Sequence, residues 1–131
     1  MMKSPFLPLL QAQRDRIIAD TGFEVYDDFP GQEVSMPYIT AGEMTARDWS
    51  DKFKPGQEVR SSLHVWSGYP GRKEAAEILD KILRALSRES LYLGHEFRAV
   101  YSGLDMIEIL IDLDGVTRHG VLQIRYLIEE V

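Results

Sequence analysis

The chain has 131 residues, long enough for one domain to bury its own core, and its 44% hydrophobic and 27% charged residues are balanced as in an ordinary globular protein. It contains no cysteine, which excludes a disulfide framework, a thiolate nucleophile and Cys-ligated zinc. The formal net charge of -6 opposes binding to a polyphosphate backbone, and no run of Lys or Arg reverses that field locally.

From Ser4 to Asp20 the residues Phe6, Leu9, Leu10, Ile17 and Ile18 recur at near-helical spacing. Ser4 is placed as the N-cap, Pro5 in the first turn and Thr21-Gly22 as the stop. Phe23 to Tyr26 reads as a short strand that runs into the turn formers Asp27-Asp28-Phe29-Pro30-Gly31. The next strand spans Met36 to Gly42, with Pro37 at its start or at a sheet edge because it cannot donate to a ladder.

Met44 to Gln57 shows no period of either kind and is expected to be a long mobile loop between two strands, carrying Trp49, Asp51, Lys52, Phe53 and Lys54. Glu58 to Ser67 alternates as a half-buried strand, Val59, Ser61, Leu63 and Val65 on one face and Arg60, Ser62, His64 and Trp66 on the other. Gly68-Tyr69-Pro70-Gly71 ends it. Arg72 to Ser87 is the clearest helix, with a stripe of Ala75, Leu79, Ile82, Leu83 and Leu86 and the i,i+4 pairs Glu77/Lys81 and Asp80/Arg84 opposite.

His95 to Tyr101 and Met106 to Leu113 read as two further strands, and Asp114-Gly115 turns the second into a hairpin with Thr117 to Ile128. On the last strand Leu122, Ile124, Tyr126 and Ile128 share a face. The order of elements predicts a single α+β domain over residues 1–131: two helices packed against a mainly antiparallel or mixed sheet.

Motifs for chemistry are weak. His64, His95 and His119 lie on different predicted strands, so a small enzyme or ligand-binding site would need them to converge with Asp105 or Glu96. Asp112-Leu113-Asp114-Gly115 resembles part of a calcium loop, but Leu110 and Val121 fall where that register requires ligands. Gly68 to Lys73 lacks the P-loop spacing, and no serine sits in Gly-x-Ser-x-Gly. The expectation is no catalytic residue, cofactor or metal.

No apolar stretch approaches the roughly 20 residues needed to cross a bilayer. Met1-Met2-Lys3-Ser4-Pro5 lacks the pattern of a signal peptide, so a cytosolic origin and no membrane partner are expected. Trp49 and Phe53, large aromatics in a polar segment, either fold back on their own domain or anchor a partner, and the length of the segment favours the partner.

Val25-Tyr26-Asp27, Met36-Pro37-Tyr38-Ile39, Leu63-His64-Val65-Trp66-Ser67 and Gly71-Arg72-Lys73-Glu74-Ala75-Ala76, leading into Ile82 and Ala85-Leu86, occur in an order and spacing found elsewhere. With these features, and on through Gly120 to Tyr126, nearly the whole chain resembles the tail-completion, or tail-to-head joining, proteins of bacteriophages and prophages. The resemblance implies a subunit that is monomeric or weakly associated when free and forms a six-fold ring at the head-proximal end of the tail tube. There it would meet the head-completion or connector protein and the tail tube protein, within the virion and, before assembly, in the bacterial host cytoplasm. No catalytic residue carries over. A tail-terminator subunit is the nearest alternative of the same class. Trp66 is expected to pack beneath or beside the second helix.

Overall fold

The computed structural model describes residues 2–131. The elements run α1 (Phe6–Thr21), β1 (Val25–Tyr26), β2 (Tyr38–Asp48), β3 (Gly56–Ser67), α2 (Lys73–Ser87), β4 (Phe97–Ile111) and β5 (Arg118–Glu130). The strands form one five-stranded sheet in the order β1-β2-β3-β5-β4. Only β1 and β2 are parallel; the other neighbours are antiparallel. The α+β class with a mixed sheet and two helices therefore holds.

Both helices lie on one face of the sheet. Val59, Leu63 and Val65 of β3 and Leu122, Ile124, Tyr126 and Ile128 of β5 are buried in one cluster with Leu9 and Ile17 of α1 and Leu79, Ile82 and Leu86 of α2. The buried stripe of α2 adds Ile78 and Ala85, while Leu83 is only partly covered. Asp80 pairs with Arg84 at 3.0 Å on its outer side. Helix α1 buries Leu9, Gln13 and Ile17 at i, i+4 and i+8, so a polar residue occupies the middle of its inner face and Ile18 turns outward.

Arg16 of α1 ties the helices together by donating to the carbonyls of Ala85 (2.9 Å) and Glu89 (3.2 Å), acceptors that the end of α2 leaves free. The cap of α1 is Pro5 and not Ser4, whose hydroxyl instead accepts the Phe6 N–H at 3.3 Å. Gly22, at φ 79°, closes the helix with its N–H on the Ile18 carbonyl.

Two sequence expectations change here. The segment read as a loop from Met44 to Gln57 is half strand: Thr45 to Asp48 pair with Arg60 to Gln57, leaving a turn of residues 49–55. Thr45 to Asp48 are all exposed, so no alternation of polar and apolar residues marks this part of the strand. The strands expected at 95–101 and 106–113 are one strand, β4, with irregularities at Ala99/Tyr101 and Leu104/Met106. These interrupt the period of two without breaking the pairing to β5.

Candidate functional site

Four features stand outside the core. The first is the β2–β3 turn that holds Trp49, Asp51, Lys52, Phe53 and Lys54. Its own hydrogen bonds staple it: Trp49 N–H donates to the Gly56 carbonyl (2.8 Å), and the Asp51 carboxylate accepts the N–H groups of Phe53 (2.7 Å) and Lys54 (2.8 Å). Those donors hold the Asp51 carboxyl below its usual range. The Ser50 hydroxyl accepts from Gly56 N–H at 3.0 Å and donates to Asp48 at 2.6 Å. Trp49 is 43% exposed and packs along Gly56, whereas Phe53 is 90% exposed. Lys54 reaches Glu129 at 3.6 Å, and Lys52 lies exposed beside it.

The second is an aromatic and imidazole cluster on the sheet face opposite the helices. His64 and His119 converge, with Nδ1 of one 2.6 Å from Nε2 of the other. His119 stacks on Trp66 (centroids 3.9 Å, planes 10° apart), and Phe29 leans on the indole at 5.1 Å. Trp66 Nε1 donates to the Thr40 hydroxyl at 3.0 Å. Trp66 thus lies across the sheet from α2, a correction that follows from alternation: Val65 and Ser67 point to the helices, so Trp66 between them cannot. Beside the cluster a cleft of about 400 Å³ is lined by Asp27, Asp28, Phe29, Glu43, His64 and Trp66 among others.

The histidine residues do not gather the carboxylates that a catalytic reading needed. His64 faces Glu43 (3.6 Å), while Asp105 binds Arg60 (3.3 Å) and Glu96 binds Lys3 (3.2 Å). His95 is exposed and meets Tyr92 edge-on. Among the described residues no group of three or more His, Asp or Glu side chains is arranged to hold a metal ion.

Burial, then the nearby His64 charge, lowers the His119 pKa from 6.5, with Asp112, Glu108 and Glu43 opposing. A folded state that resists protonation binds fewer protons than the unfolded chain, so this stabilisation is present above about pH 6.5 and lost as pH falls through the lowered value. Thermal melts from about pH 7.5 to about pH 5 are expected to show a smaller loss of Tm for His119→Gln than for the wild type. Equal losses would assign the acid sensitivity elsewhere.

The third feature, also on the open face, is a lattice of ion pairs. Glu58 accepts from Arg125 at 2.8 Å and from Arg60, and both contacts lower its pKa. Arg125 also lies over the Tyr101 ring at 5.5 Å, so this part of the sheet carries solvated charge at little net cost or gain.

The fourth was not singled out from the sequence. Strand β4 is the longer of the sheet's two outer strands and leaves one edge unpaired along its 15 residues. Leu104, Ile107, Leu110 and Ile111 are 42–57% exposed, and Leu113 and Val116 in the following turn are 104% and 57% exposed. Monomeric proteins ordinarily shorten, charge or cover such an edge. The signal available in the sequence was the set of apolar residues on both faces of the strand expected from Met106 to Leu113, more than one sheet face can bury.

Residues 14–129 match the family model described as tail completion protein gp17. The tail completion protein gp17 of Bacillus phage SPP1 is 31% identical over 99 residues, 76% of this chain and 72% of that protein. The solved structure of SPP1 gp17 aligns with a TM-score of 0.59 at 25% identity, covering 92% of this chain and 88% of that one. A chain from the virion of a native gene transfer agent particle shares the fold, with a TM-score of 0.85 at 21% identity over 98% of this chain and 99% of that one. The chain belongs to the tail completion protein gp17 family and has a structural role in the assembly that joins phage tail to head.

Proposed function

We propose that the 131 residues act as a single domain that assembles into a six-fold ring at the head-proximal end of the tail tube, without catalysing a reaction. In this reading the subunit is made in the bacterial host cytoplasm and meets the head-completion or connector protein on one side and the tail tube protein on the other. The observation that carries the joining contact is the stapled β2–β3 turn. Asp51 fixes the backbone on which Phe53 stands almost wholly in solvent, with Trp49 at its base and Lys52 and Lys54 on its flanks. A rigid, exposed aromatic loses little conformational freedom on docking and gains its full apolar burial, which is the character of an interface anchor.

The net charge of -6 also suits a ring around passing DNA, since a repelled polyanion does not adhere to the wall. Replacing Trp49 and Phe53 together by alanine is expected to leave the circular dichroism spectrum and cooperative unfolding intact while heads and tails accumulate unjoined in electron micrographs. Joined particles at the wild-type level would remove the turn from the interface. Overlong tails in a deletion strain would instead indicate a terminator.

A further inference from the structure

The geometry points to a head-to-tail contact between copies of this chain, in which the β4–β5 turn of one subunit seats Leu113 in the groove between α2 and β4 of the next. The inference rests on the ring reading above and assigns its two faces. The knob is preordered. Asp112 N–H donates to the Thr117 carbonyl (2.9 Å), Gly115 N–H to the Asp112 carbonyl (2.9 Å), and the Asp114 carboxylate accepts Val116 N–H, Thr117 N–H and the Thr117 hydroxyl at 2.6–2.8 Å. Gly115 takes φ 72°, which a side chain there would resist. With Leu113 N–H donating to the Asp112 carboxylate (2.9 Å), six hydrogen bonds hold a leucine that is 104% exposed, with Val116 beside it at 57%.

The hole is on the same chain. Ala76, Leu79 and Leu83 of α2 and Ile107 and Ile109 of β4 line an apolar groove of about 270 Å³, rimmed by Asp80 and Glu108. It opens beside the unpaired edge of β4. Asp80 is engaged by Arg84, and Arg72 and Lys73, one turn before Ala76 on the same side of the helix, have no ion-pair partner among the described residues. In the proposed contact this pair of cations faces a neighbour's Asp112 from beside the groove, and among the described residues it outnumbers the one free carboxylate on the rim, that of Glu108. A knob and a hole on different parts of one surface pair heterologously, and repetition of that contact closes a ring where the rotation permits.

The absence of cysteine makes the test direct. Subunits carrying only Leu113→Cys and subunits carrying only Ala76→Cys, both exposed positions, are mixed, incorporated into tails and treated with a short bis-maleimide. Cross-linked pairs are expected in the mixture and not with either variant alone. A Leu113-to-Leu113 link, or incorporation without any link, overturns the heterologous contact but leaves the ring reading standing. Failure of the wild-type chain to appear in tails overturns both. Leu113→Asp, which does not touch the core, is expected to reduce incorporation by about tenfold or more; unchanged incorporation counts against the contact.

Discussion

Gln13→Leu is expected to cost about 2–5 kcal/mol of folding stability although it keeps the size of the side chain and makes it apolar. Gln13 is 1% exposed in the middle of the inner face of α1. Its amide nitrogen donates to the Tyr126 hydroxyl (2.8 Å), and its amide oxygen accepts from the Ser61 hydroxyl (3.0 Å). Burial pushes the Tyr126 phenol far above its usual range, so it is neutral at physiological pH. Leucine at position 13 strands both hydroxyls, each at about 1–3 kcal/mol. The triple replacement Gln13→Leu, Tyr126→Phe and Ser61→Ala removes every member of the network and is expected to recover most of the loss. Urea unfolding midpoints decide it, and a single variant within about 0.5 kcal/mol of wild type, the scatter of an ordinary surface change, would show that the network contributes little.

The same network explains which parts of the fold could be read from the sequence. Helix α2 and the inner face of β5 carry apolar stripes, and the inner face of β3 is broken only by small serines, so Leu79, Ile82, Leu63 and Leu122 were legible as core. Helix α1 was legible as a helix, but its inner face passes through Gln13, which earns its burial only from Tyr126 and Ser61, residues 113 and 48 positions away. No local pattern reports a partner at that distance. The polar end of β2 and the irregular middle of β4 failed for a related reason. Backbone pairing, not side-chain burial, holds Arg47 opposite Glu58 and Leu104 opposite Ile124.

The surface was legible in a different proportion. Trp49 and Phe53 were identifiable because aromatics are conspicuous in a polar segment, whereas the exposure of Leu110 and Leu113 depends on β4 being the outermost strand. Strand order is a property of the whole sheet. Likewise His64 and His119 meet only because β3 and β5, separated in sequence by a helix and a strand, lie side by side in antiparallel register.

Gly120 carries the second large effect, because it sets how closely α2 approaches the sheet. A Cβ at this position would lie 2.9 Å from Cδ1 of Leu79 and 3.2 Å from its Cγ, so Leu79, at 2% exposure, has to give way, and the open space beside it is the groove it lines with Ala76 and Leu83. Gly120→Ala gains about 0.4–1 kcal/mol from a stiffer unfolded chain but overpacks by about 1–3 kcal/mol, so a net loss is expected. Gly120→Val is expected to lose more. Leu79→Ala alone opens a cavity at about 2–5 kcal/mol, and valine at position 120 refills part of it. The double variant Leu79→Ala, Gly120→Val is therefore expected to lose less than the sum of its parts by about 0.5–3 kcal/mol. Strict additivity would mean that α2 shifts away from β5 to relieve the clash. Such a shift would also widen the groove formed by Ala76, Leu79, Leu83, Ile107 and Ile109, and subunits with Gly120→Val would then fail to capture Leu113 of a neighbour even where they fold.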